Sequence, residues 1–194
     1  MDGLKIDHPL FSLIISDHYK IINILNNFEK NNEILLLQQV NQLWNFVELT
    51  HHKKEEFYLF NFVSKKERIS EGGPLCTLYF DYHMAEPAPI KSAKITNQIP
   101  PIEDHQINYY KNNSPVTIPV DEHRAGKSLL NHLKQNWDNL TLEKKLSALE
   151  VYRDINLNYI AKEESCFFHL CAHLLTPNEA NHILCQWQNH GESD

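Results

Sequence analysis

No stretch of this chain approaches the roughly 18–20 uninterrupted apolar residues of a membrane-crossing helix, which excludes a helical span. Also missing from its opening, Met1-Asp2-Gly3-Leu4-Lys5, are the basic and apolar regions of a secretion signal, so the expected location is the cytoplasm. Basic charge is in deficit. With 18 Lys+Arg against 25 Asp+Glu the net charge is −7, and a nucleic-acid backbone or an anionic membrane would be repelled. Cysteine is sparse. Cys76, Cys166, Cys171 and Cys185 show no CxxC spacing, read as buried reduced thiols, and leave no need for disulfides. Internal repeats and low-complexity runs are absent, and 194 residues suit a single domain over 1–194.

Histidine is what the chain has in excess, with 12 copies against 5 glycines. Because imidazole is the commonest metal-binding side chain, the positions of these residues matter more than their number. Residues 9–29 read as a first helix opened by Pro9, with Leu10, Ile14, Ile21, Leu25 and Phe28 on one stripe and His18 among them. A second helix is expected over 33–66, where Leu36, Val40, Leu43, Val47, His51, Glu55, Leu59 and Phe62 repeat every three or four residues. Glu71-Gly72-Gly73-Pro74 breaks that period. The proline-rich segment 75–118 reads as a long connection or lid between helices two and three. Pro119 is expected to open a third helix to about Trp137, and Thr141 to cap a fourth with Leu149, Tyr152, Ile155, Tyr159, Glu163, Phe167 and Leu170 inward. Pro177 closes it, and 178–188 reads as a short terminal helix docking through Ile183, Leu184 and Trp187.

The inward polar positions are then His18, His51, Glu55, His123, Tyr159 and Glu163, at least one from each of the four long helices. Residues at i and i+4 share a helix face, so His51 with Glu55 and Tyr159 with Glu163 each aim two donor groups at one point. An unpaired buried charge costs several kcal/mol, and a domain stable by only about 5–15 kcal/mol cannot absorb that repeatedly. A cation compensates them directly, and imidazole with carboxylate favours iron, manganese or zinc over calcium or magnesium. Glu55 and Glu163, on separate helices, are placed to bridge two ions. His52 with Glu56 satisfies the same spacing; the His51 and Glu55 register is preferred because it continues the apolar stripe, leaving the other pair toward the edge or orienting the ligands. His8, His132, His182 and His190 read as surface or hydrogen-bonded histidines. His105, His169 and His173 carry a weaker ligand signal, while Asp81-Tyr82-His83 follows the glycine break and makes His83 a candidate acid or base above the site.

These landmarks resemble the haemerythrin-like, or HHE cation-binding, family. The matching stretches are Asp17-His18, His51-His52-Lys53-Lys54-Glu55-Glu56 with Leu59-Phe60, Gly72-Gly73-Pro74, Glu122-His123-Arg124-Ala125-Gly126-Lys127, and Lys162-Glu163-Glu164 with Phe167-Phe168, in family order over nearly the whole chain. The resemblance implies an all-α, up-down four-helix bundle with a non-haem diiron site, in a family whose members bind oxygen, handle iron, or react with peroxide and nitric oxide. One departure stands out, since the family's final motif is HxxxE and Tyr159 holds the place of its histidine. A phenolate there could ligate ferric iron, or the ring could point away and leave an open position; either disfavours simple reversible oxygen carriage. Two function classes follow: an oxidoreductase acting on O2, peroxide or NO, with a small-molecule substrate under the lid, or a non-enzymatic protein that stores, senses or carries iron or oxygen.

Overall fold

The computed structural model describes residues 6–66 and 115–189, and every regular element among them is helical. His83, His105, His190 and all but the last few residues of the 75–118 connection lie outside the described residues. Helix α1 is Pro9–Asn26. Helix α2 runs without a break over 33–64, α3 is Thr117–Gln135, α4 spans 142–174, and α5 is Pro177–Asn189. A single 3₁₀ turn, Trp137–Asn139, joins α3 to α4.

Each start has a local cause. The Nδ1 of His8 accepts from the Leu10 amide at 3.2 Å, with Pro9 just inside the helix. The side chain of Asn32 accepts from Ile34 and Leu35, and that of Thr141 from Lys144 at 3.4 Å. Before α5, Thr176 Oγ1 accepts from the Glu179 amide while Glu179 Oε2 accepts from the Thr176 amide, a reciprocal capping box. Helix α3 begins two residues before Pro119 rather than at it. A proline costs little there, because first-turn amides have no partner inside the helix. Helix α1 stops three residues short of the expected end, where the Asn27 side-chain amide turns back and donates to the Asn23 carbonyl oxygen at 2.7 Å.

The core is divided in two. One apolar cluster holds Leu10 and Ile14 from α1, Leu59 and Val63 from α2, Val120 from α3, Phe167 and Leu170 from α4, and Ile183 and Trp187 from α5. The other holds Ile21 and Leu25, Val40 and Val47, Leu130 and Leu133, and Leu149 and Ile155. Along α1 and α3 the chain passes from the first cluster to the second, and along α2 and α4 it returns. Between the clusters each of these helices carries a buried polar residue: His18, His51 and Glu55, His123, and Glu163.

Candidate metal centre

Five side chains meet in that polar layer, each buried to 2 % exposure or less. Glu55 Oε1 lies 3.5 Å from His18 Nε2, and Glu55 Oε2 lies 3.4 Å from His51 Nε2 and 3.5 Å from His123 Nε2. Glu163 faces the same two outer imidazoles, at 3.4 Å from His18 Nε2 and 3.5 Å from His123 Nε2. At these separations the atoms are close in charge but form no hydrogen bonds. Ten buried side-chain nitrogen or oxygen atoms lack a hydrogen-bond partner among the described residues, and eight of them belong to these five side chains. Orphaned polar atoms are expensive individually, so their concentration at one point demands a compensating group.

A cation fits the demand. Two donor atoms each about 2.1 Å from a shared ion stand about 3.0–3.4 Å apart at right-angled to tetrahedral geometry, close to the separations here. His18, His51 and Glu55 form one group that could hold a metal ion, and Glu55, His123 and Glu163 form a second, with Glu55 common to both. Two of the three outward ring nitrogens are already engaged, His18 Nδ1 with Glu164 at 2.8 Å and His123 Nδ1 with Glu56 at 3.0 Å, while His51 Nδ1 has Asp17 at 3.8 Å. Such carboxylate contacts fix an imidazole so that its other nitrogen faces the metal side. Phe168 stacks on the His18 ring and Phe60 on the His123 ring, both at 5.7 Å between centroids.

The backbone is unusual at the same place. Glu55 and Glu163 each open a π-helical segment, Glu55–Phe60 and Glu163–Phe167, and a third, Trp44–His51, ends at His51. Wide turns of this kind are rare and concentrate at functional sites.

Electrostatics without a metal show what replaces it. Burial alone would lower the pKa of His18, but the nearby carboxylates of Glu163, Glu164 and Glu55 outweigh it and hold the imidazole well above its ordinary range. His123 behaves alike, with burial opposed by Glu163 and Glu56 and the pKa pushed up to about 10. Burial would raise Glu163, yet His123 and His18 bring it down to about 2. Protons on the histidines thus stand in for a cation.

Immediately beside this layer lies a second buried polar group that is fully closed. Tyr152 donates to Glu48 Oε1 at 2.7 Å, Glu48 Oε2 faces His52 Nδ1 at 3.1 Å, and His52 Nε2 meets the Tyr159 hydroxyl at 2.8 Å. The His52 ring lies parallel to that of His123, 3.7 Å away. Burial, then repulsion from His123 and His51, keeps His52 well below the usual imidazole pKa, while burial raises Glu48 to about 7 against its bond from Tyr152.

Of the six ligand candidates in the sequence, the structure brings together His18, His51, Glu55, His123 and Glu163, and gives Tyr159 a hydrogen-bond partner in His52. His52 is buried, not at the edge, whereas Glu56 orients His123 from a partly exposed position. His169, His173 and His182 are exposed, His132 lies against its own helix neighbour Asn136, and the buried Glu122 pairs with Lys162. Sequence reasoning missed Glu48, and assigned no roles to Glu164 and Asp17. Their signal was there in the acid doublets Glu55-Glu56 and Glu163-Glu164 and in Glu48 four residues before His52. Comparison with protein-family models, curated proteins and solved structures gives no match.

Proposed function

We propose that the chain is a haemerythrin-like up-down four-helix bundle holding a non-haem two-iron centre that reacts with O2, peroxide or NO, as an oxidoreductase on a small substrate. The observation that carries this reading is the set of eight orphaned, buried donor atoms on His18, His51, Glu55, His123 and Glu163. The alternating passage of α1 to α4 between two apolar clusters supports the bundle topology, and α5 adds Trp187 against the His51 ring at 6.1 Å.

Imidazole and carboxylate donors with no thiolate fit iron, with manganese and zinc in the same donor class. Bound iron would supply one-electron redox chemistry toward small oxidants. The protein's own contribution is then definite. Glu55, shared by both groups, would help to hold an ion in each, and Glu163 would neutralise charge between His18 and His123. Glu164 and Glu56 hold the two outer imidazoles, and the apolar clusters on either side exclude bulk water. Only three of the five donor residues are histidines, and with Tyr159 in the place of a further imidazole this favours reaction over reversible carriage.

The test is to mix anaerobically reduced, iron-loaded protein with peroxide or oxygen. Irreversible consumption is expected. A stable form that releases oxygen on degassing would assign the protein to the carrier class instead, and an inert centre would overturn both.

A further inference from the structure

The two carboxylate helices are built alike. Glu55 is followed by Glu56 and Phe60, Glu163 by Glu164 and Phe168, and each pair serves one imidazole of another helix, His123 and His18 respectively. Four residues before each carboxylate the correspondence fails. His51 presents Nε2 at 3.4 Å from Glu55, but Tyr159, at the equivalent position before Glu163, places its hydroxyl 2.8 Å from His52. On α4 the residue matching His52 is Ile160, so nothing there could restrain His51 in return.

The Tyr159 ring is nonetheless close to the clustered imidazoles, with centroids 5.0 Å from His123 and 6.4 Å from His18. What ties it is a chain of three hydrogen-bonding contacts, all buried. Glu48 Oε2 engages His52 Nδ1 at 3.1 Å and His52 Nε2 engages the phenol oxygen at 2.8 Å, so both ring nitrogens are taken up along the chain. Tyr152, donating to Glu48 from α4, fixes the far end. The stack on His123 fixes the plane of the His52 ring.

We propose that His52 is a positioning residue: it holds the Tyr159 phenol in a hydrogen bond within the core, so that the phenol oxygen does not become a ligand on the His123 and Glu163 side of the centre. The inference rests on reading the five-residue cluster as a metal centre, and it makes the two metal positions unequal, one with two imidazoles and one with a single imidazole. Removing His52 frees the phenol. On ligation its O–H bond would break, the proton would leave to solvent, and the oxygen electron pair would go to ferric iron, with no change of oxidation state.

The experiment compares ferric-loaded wild type, His52→Leu, His52→Gln, and His52→Leu with Tyr159→Phe, recording visible absorption and iron content for each. The expected result is a phenolate-to-iron charge-transfer band in His52→Leu alone, absent from wild type, absent from the double variant, and suppressed in His52→Gln, whose amide can still bond the phenol. A wild-type band that Tyr159→Phe abolishes would overturn the proposal, as would a His52→Leu protein that holds iron without the band. Wild type that takes up no iron would instead defeat the metal reading itself, and the inference with it. A measurement on wild type alone guards against a misfolded variant: in metal-free protein, proton NMR should show a slowly exchanging Tyr159 hydroxyl with a nuclear Overhauser contact to the His52 ring. Fast exchange of that hydroxyl with no such contact would also overturn the proposal.

Discussion

Two buried polar regions lie side by side in this molecule, one built on α2 and α4 and the other drawing on α1 to α4, and they differ in how their hydrogen bonds close. In the group of Glu48, His52, Tyr152 and Tyr159, every junction is made at 2.7–3.1 Å and no side-chain atom is left over. In the group of His18, His51, Glu55, His123 and Glu163, contacts stall at 3.4–3.5 Å and eight atoms are orphaned. The difference is one of donors. Each tyrosine brings a hydroxyl hydrogen of its own, whereas the imidazoles and carboxylates of the second group can meet only through protons taken up by the histidines or through a cation. The first group is complete as protein, and the second has the donors to hold a metal ion.

Several substitutions would break or sharpen that contrast. The largest effect is expected from Glu55→Ala or Glu163→Ala: thermal unfolding with added metal should lose the whole metal-dependent gain, which is about 2.7 kcal/mol at a hundredfold excess of metal over Kd. Tyr152→Phe should act oppositely in kind. It leaves Glu48 Oε1 buried without its donor and should cost about 1–3 kcal/mol in denaturant melts, with metal content unchanged. Glu56→Gln and Glu164→Gln touch the metal side only through the imidazoles they orient, and metal titration should show affinity lowered about 10–100-fold in each.

The smallest effect is a sign. In metal-free protein, the raised pKa values of His18 and His123 contribute stability that is fully present below the ordinary imidazole value of 6.5 and is lost as pH rises toward about 10. Glu163, held near 2, adds stability present above 4.5 and lost as pH falls through its folded value. Metal-loaded protein must keep the same imidazoles deprotonated, so its stability should instead fall as pH drops through the imidazole range. Melting curves with and without metal between neutral and mildly acidic pH should therefore drift in opposite directions.

Much of this arrangement was legible in the residues. Helical spacing placed His18, His51, Glu55, His123 and Glu163 inward because each interrupts an apolar stripe, and the stripes are the two core clusters on either side. Helix caps at Asn32 and Thr141 follow from side-chain chemistry alone. The neighbouring group was not legible. A regular 3.6-residue turn forces a choice between the His51 and His52 registers, but the π-helical segments around them widen the turn, and His51, His52, Glu48 and Glu55 are all buried. Tyr152 reads as a core aromatic and Tyr159 as a ligand candidate from spacing, and only distances reveal that one bonds Glu48 and the other is held by His52. His83 and the connection around it lie outside the described residues, so the idea of a catalytic lid stands as the sequence left it.

The most direct test of the ion in the orphaned layer is elemental analysis of folded protein purified without added metal, set beside the Glu55→Ala, Glu163→Ala double variant. The account predicts two equivalents of metal per chain, iron foremost, in the native protein and none in the variant. A folded native chain that carries no metal and takes none up from stoichiometric ferrous iron, manganese or zinc would contradict it.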